Sequence, residues 1–186
     1  MKRVLLLGDS ISMGYREYVR ELLAEEADVQ YMEENGRFAK YTMWAANQWI
    51  RSNGAPDIVH WNNGVWDITI EPPLEGSFTP LPDYIAALSR MIGMFRSAGV
   101  PTVIFATTTY TYSHPEGSAM RPEAAIDLYN ASAAALMACE GVEVNDLGGF
   151  QRKHLEEFLC EDGLHLNEKG YRACAQQVAD AIRRHL

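Results

Sequence analysis

Val4-Leu5-Leu6-Leu7-Gly8-Asp9-Ser10 lies near the start of a 186-residue chain and decides how the rest is read. Four consecutive apolar residues closed by a glycine suit a strand buried on both faces of a parallel sheet. Helical spacing begins at once, with Tyr15, Val19, Leu22 and Leu23 on one side of a segment running from Ile11 to Glu26. A strand that turns directly into a helix therefore delivers a glycine, a carboxylate and a hydroxyl to one corner. In open α/β sheets, sites lie beyond the C-terminal ends of the strands, and this is such an end.

Working outward, Val29-Gln30-Tyr31-Met32 reads as a second strand. Phe38 to Arg51 reads as a helix with Tyr41, Trp44, Ala45 and Trp49 toward the core. Asp57 to Trp61 is a third strand, followed by a loop rich in Pro, Gly and acidic residues from about Gly64 to Pro80. Pro82 sits where a helix N-terminus tolerates it, so Tyr84 to Ser97 is helical, with Gly99 as its stop. Thr102 to Ala106 is a fourth strand and Ala124 to Cys139 an alanine-rich helix. Val142-Glu143-Val144 is a short fifth strand. A short helix at Gln151–Phe158 and a last one from Glu168 to Leu186 complete the chain. Strands alternating with helices at these lengths predict right-handed crossovers and a three-layer α/β/α sandwich of about five parallel strands. With no repeat, low-complexity tract or linker, residues 1–186 read as one domain.

Composition narrows the function. Hydrophobic residues are 47% and charged residues 22% of the chain, the mix of an ordinary globular protein. A formal net charge of -9 argues against nucleic acid, whose phosphates require a basic face. Cys139, Cys160 and Cys174 have no metal-ligand spacing and are odd in number for a disulfide framework, so they read as thiols in a reducing compartment. No apolar run approaches the roughly 18 residues of a membrane span, and residues 1–7 are too short for a signal-peptide core. The chain is accordingly expected to be cytoplasmic, off the membrane, and to act on a small molecule. Its oligomeric state is open.

Ser10 by itself reads first as a helix cap and only second as a nucleophile. Near the other end stands Glu161-Asp162-Gly163-Leu164-His165-Leu166-Asn167. A serine hydroxyl needs a base, histidine is the usual one, and the imidazole needs a carboxylate to hold its tautomer. Asp162 and His165, three apart on a tight turn, can meet at Nδ1. The competing reading is a solvated loop with Asn167 capping the last helix.

Gly8-Asp9-Ser10 near one end and Asp162-x-x-His165 before the last helix, followed by Leu166-Asn167-Glu168-Lys169-Gly170-Tyr171, together resemble the SGNH/GDSL hydrolase superfamily. The resemblance runs from the first strand to the last helix. It implies a flavodoxin-like fold, ester hydrolysis without metal or organic cofactor, Ser10 as nucleophile, His165 as base and then acid, and Asp162 as the orienting carboxylate. Asp9 is expected to brace the turn. The resemblance also implies an oxyanion hole built from the Ser10 N–H, a glycine N–H after the second strand, and an asparagine after the third. Gly36 fits the glycine. The third block departs from the usual Gly-x-Asn-Asp: here Trp61-Asn62-Asn63-Gly64-Val65-Trp66-Asp67 puts Trp66 in the asparagine position, as in a subgroup of similar proteins. Asn62 is the preferred donor and Asn63 the alternative, and strand alternation lets only one of the pair face Ser10.

Arg37, directly after Gly36, stands where it would meet a substrate carboxylate or hydroxyl, or pair with Glu33 or Glu34. Trp66, Tyr110, Tyr112 and His114 fall in rim loops, either as platforms for sugar rings or as plugs at the loop bases. His60, inside a strand, reads as a buried structural histidine, and no histidine belongs to a cluster with metal spacing. The expectation is a serine esterase acting on a small acyl ester, with a carbohydrate O-acetyl ester preferred and no cofactor. An acyltransferase, or a binding protein of the same fold with weak turnover, remains the alternative.

Overall fold

A computed structural model describes residues 1–112 and 119–186. In chain order the elements are β1 (Lys2–Leu7), α1 (Ser10–Leu22), β2 (Ala27–Tyr31), α2 (Ala39–Asn53), β3 (Ile58–Asn62), α3 (Val65–Ile68) and α4 (Leu81–Ser97). There follow β4 (Thr102–Ala106), α5 (Glu123–Glu140), β5 (Glu143–Asn145), α6 (Leu147–Arg152), α7 (Leu155–Phe158) and α8 (Glu168–Arg183). The five strands form one parallel sheet in the order β2-β1-β3-β4-β5.

Alternation along the strands sorts side chains into two cores. Val4 and Leu6 of β1, Ile58 of β3 and Ile104 of β4 pack under α1 and α8. Leu5 and Leu7, Val59 and Trp61, and Phe105 pack on the other face, under α2, α4 and α5. Val4, Leu5, Leu6 and Leu7 are each no more than 1% exposed. Burying side chains of that size stabilises the fold by roughly 1.5–3 kcal/mol apiece. The continuous apolar run of β1 is thus explained by helices on both sides of a central strand.

Several boundaries differ from the sequence reading. The first helix stops at Leu22, because the chain must turn to put Ala27 beside Lys2 in the β1–β2 ladder. The acidic loop holds the short helix α3, and Ile70 pairs with Met120 in an isolated antiparallel bridge. The expected helix near Gln151 is two helices. The first begins earlier, where the Asp146 side chain accepts from Gly149 N at 3.1 Å; the Gly148-Gly149 pair hides that start from any apolar period. In α2 the residues turned inward are Ala39, Thr42 and Ala46, while Trp44 is 57% exposed. That helix is apolar around much of its circumference, so periodicity did not choose a face, and its small residues allow close packing.

Candidate active site

Ser10 owes its position to the end of a central strand. After Leu7 the chain passes Gly8, whose φ of 155° and surroundings both require glycine: a Cβ there would lie 2.1 Å from Asn62 Oδ1. Asp9 then caps α1, its Oδ1 accepting from Ile11 N at 3.0 Å and from Asn62 Nδ2 at 3.1 Å. Asp9 Oδ2 is buried with no partner among the described residues. Burial pushes the Asp9 carboxyl up to about 6, against the Ile11 N–H, the Asn62 amide and the charges of His165 and Arg121. The expected brace is therefore present. It leaves Ser10 half-buried at the first position of α1, with its N–H donating to nothing among the described residues.

The opposite side of the site is a short, exposed turn. Leu159 and Leu166 bridge its base, and Cys160 N donates to His165 O at 2.8 Å. Asp162 Oδ1 accepts from Leu164 N at 3.0 Å and His165 N at 2.9 Å, which folds the carboxylate back over the turn. Its Oδ2 lies 2.6 Å from His165 Nδ1, and His165 Nε2 lies 3.0 Å from Ser10 Oγ. With the carboxylate on Nδ1, the neutral imidazole carries its proton there and accepts from the Ser10 hydroxyl at Nε2. Partial burial would raise Asp162, but the Leu164 N–H, the His165 ring and the His165 N–H outweigh it and hold the carboxyl down at about 2. Asn167 caps α8 through Gly170 N at 3.0 Å, and the Tyr112 N–H reaches Gly163 O at 2.8 Å.

The remaining oxyanion candidates are already engaged. Gly36 is buried and its N–H donates to Gly8 O at 2.8 Å; a Cβ on it would meet that same oxygen at 2.4 Å. Asn62 is held by Asp9, and its Oδ1 accepts from Tyr15 OH at 3.2 Å. Asn63 points to the other face of the sheet, as alternation requires, and spends both amide hydrogens on Thr42 Oγ1 at 2.8 Å and Arg37 O at 3.2 Å. Asp67 accepts from Ala39 N at 3.1 Å on each oxygen, tying the third block to the start of α2.

Of the expected binding residues, Trp66 is 40% exposed and Arg37 is exposed, with φ 52° and its guanidinium 4.8 Å from the Tyr41 ring centre. Tyr110 is not on the rim. It is 7% exposed, its hydroxyl donates to Asp127 Oδ1 at 2.5 Å, and Arg152 covers its ring at 4.6 Å. It plugs the loop base, the second of the two roles open to it. Tyr112, two residues on, is 44% exposed beside the Asp162 turn. His60 is buried, with Nε2 3.1 Å from Asn145 Nδ2, and burial drives it down to about 4. His114 lies outside the described residues.

One residue was missed. Arg121 donates Nε–H to Val65 O at 3.2 Å, and its charge bears on both Asp9 and Asp162. No motif marks it; the only signal was a lone arginine between a Pro/Gly loop and the Pro122 that opens α5. Among the described residues no group of three His, Cys, Asp or Glu could hold a metal ion, and no helix is long and apolar enough to cross a membrane.

The GDSL-like lipase/acylhydrolase family matches the sequence over residues 6–173. No curated protein matches it significantly. Among solved structures, a lipase/acylhydrolase from Enterococcus faecalis is similar at a TM-score of 0.83 and 24% identity, covering 100% of this chain and 97% of its own. An acetyl xylan esterase is similar at a TM-score of 0.76 and 20% identity, covering 97% and 99%. A Geobacillus acetyl-xylooligosaccharide esterase aligns at 0.76 and 19%, covering 98% and 93%.

Proposed function

We propose, for a chain that belongs to the GDSL-like lipase/acylhydrolase family and is a carboxylic ester hydrolase, that Ser10, His165 and Asp162 carry the reaction. The observation behind this is the relay of 3.0 Å from Ser10 Oγ to His165 Nε2 and 2.6 Å from Nδ1 to Asp162. Ser10 Oγ attacks the ester carbonyl while His165 Nε2 takes its proton. The imidazolium so formed is stabilised by Asp162, which stays ionised at any working pH. Collapse of the tetrahedral adduct expels the alcohol, which His165 protonates, and leaves an acyl-Ser10. Water then gives a proton to His165 and attacks the acyl carbon; the second adduct collapses with breakage of the bond to Ser10 Oγ, which takes the proton back from His165 as the acid leaves.

The developing oxyanion falls to the Ser10 N–H, with the second amide hydrogen of Asn62 as the neighbouring side-chain donor. Gly36 serves in the hole only by giving up Gly8 O, and as it stands it holds the Gly8 carbonyl in place. The substrate we infer is a small acyl ester, a carbohydrate O-acetyl group by preference. The esterases of similar fold, the exposed ring of Trp66 and the exposed Tyr112 beside the Asp162 turn support that choice.

Hydrolysis of 4-nitrophenyl acetate by the native chain and by Ser10→Ala is the test. The native rate should exceed that of the variant by at least about 10⁴-fold. Equal rates would remove Ser10 from the chemistry. Acetate release from acetylated xylooligosaccharides then tests the sugar assignment.

A further inference from the structure

Arg121 has more functional-group capacity than the fold uses. Its backbone is held on both sides: Met120 exchanges hydrogen bonds of 2.9 Å with Ile70 in both directions, and Pro122 caps α5. Its side chain is half-buried, and Nε–H is spent on Val65 O, at the start of α3 just past the end of β3. Asp9, Glu71 and Asp162 are the carboxylates that feel its charge, yet among the described residues none forms an ion pair with it. Anchoring Nε leaves the two terminal nitrogens side by side, the end-on fork that matches both oxygens of a carboxylate. A half-buried guanidinium that forms no ion pair among the described residues keeps part of a desolvation cost that a bound anion would offset.

We propose that Arg121 is a substrate-recognition residue that grips a carboxylate on the alcohol half of the ester. The preferred substrates are then O-acetyl esters of carboxylate-bearing alcohols, sugar acids among them. The anion is assigned to the alcohol because an acetyl group has no room for one. Neighbouring Trp66, the residue after the anchoring Val65, would stack on the ring that carries it. This inference rests on Ser10, His165 and Asp162 being the reaction centre.

The test compares 3- and 4-acetoxybenzoate with the corresponding acetoxybenzamides, which keep the shape and lose the charge. For the native chain, kcat/KM should favour at least one benzoate over its amide by about 10–100-fold, the range expected of hydrogen bonds to a charged partner. In Arg121→Gln that ratio should fall to near one, and Arg121→Lys should restore part of it. Labelling of Ser10 by a fluorophosphonate checks that each variant is folded. Ratios near one in the native chain, or a loss in Arg121→Gln that is equal for charged and neutral esters, would overturn the proposal. Failure of the reaction-centre reading looks different: Ser10→Ala would then hydrolyse 4-nitrophenyl acetate as fast as the native chain.

Discussion

Asp9 and Asp162 flank the same serine–histidine pair, and their surroundings drive them apart. Asp9 is fully buried, accepts two hydrogen bonds on one oxygen and none among the described residues on the other, and is pushed up to about 6. Asp162 stands on an exposed turn, gathers two backbone N–H groups and the His165 ring, and is held at about 2. Full burial outweighs the two donors on Asp9, whereas the donors on Asp162 outweigh its slight burial, and that balance rather than distance from the reaction sets the two carboxyls apart. The buried half of the site supplies rigidity and the exposed half supplies charge.

Four substitutions break or sharpen that contrast. Asp162→Asn attacks the charged half: it removes the acceptor that sets the His165 tautomer, so kcat should fall by about 10³–10⁴-fold with the fold intact. A fall under tenfold would mean the turn only positions the ring. Gly8→Ala attacks the rigid half. Its Cβ would sit 2.1 Å from Asn62 Oδ1 at a φ of 155°, and chemical denaturation should show a loss of about 3 kcal/mol.

Asp9→Asn tests the raised carboxyl. With a folded value of about 6 against an unfolded value near 3.9, the native state binds more protons between them. The stability this contributes is whole below about pH 4 and is lost as pH rises through 6. The variant should flatten that slope by about 1–3 kcal/mol between pH 4 and 6.5, and Asp67, also raised to about 6 mainly by burial, should keep what remains. An unchanged slope would assign the whole effect to Asp67. The smallest effect is expected at Trp44→Ser, far from either carboxylate. Trp44 is 57% exposed, so stability should move by no more than about 0.5 kcal/mol and the esterase rate not at all.

How much was legible varied with the physics. β4 was read to the residue, Thr102–Ala106, because β-branched and aromatic residues run unbroken between a proline and a polar loop. Ser10, Asp162 and His165 were found through resemblance; neither motif alone outweighs a helix cap or a solvated loop. The relative roles of Asn62 and Asn63 followed half-way: alternation said they would part, but not that Asp9 would take one and Thr42 the other. Trp44 was turned inward because apolar spacing says nothing about which rings a crowded layer can accept, and the choice between platform and plug for Tyr110 stayed open until Asp127 and Arg152 met it. Arg121 was invisible, as the carbonyl that anchors its side chain lies 56 residues away in the chain.

The order of strands and helices and the two-sided burial of β1 follow from local pattern, because backbone hydrogen bonding and side-chain period act over a few residues. Which donors remain open for an oxyanion, which carboxylate keeps its charge and where a lone guanidinium lands depend on groups that meet only after the sheet has closed. Solvation and hydrogen-bond competition operate across space, so those matters were decided by the tertiary structure alone.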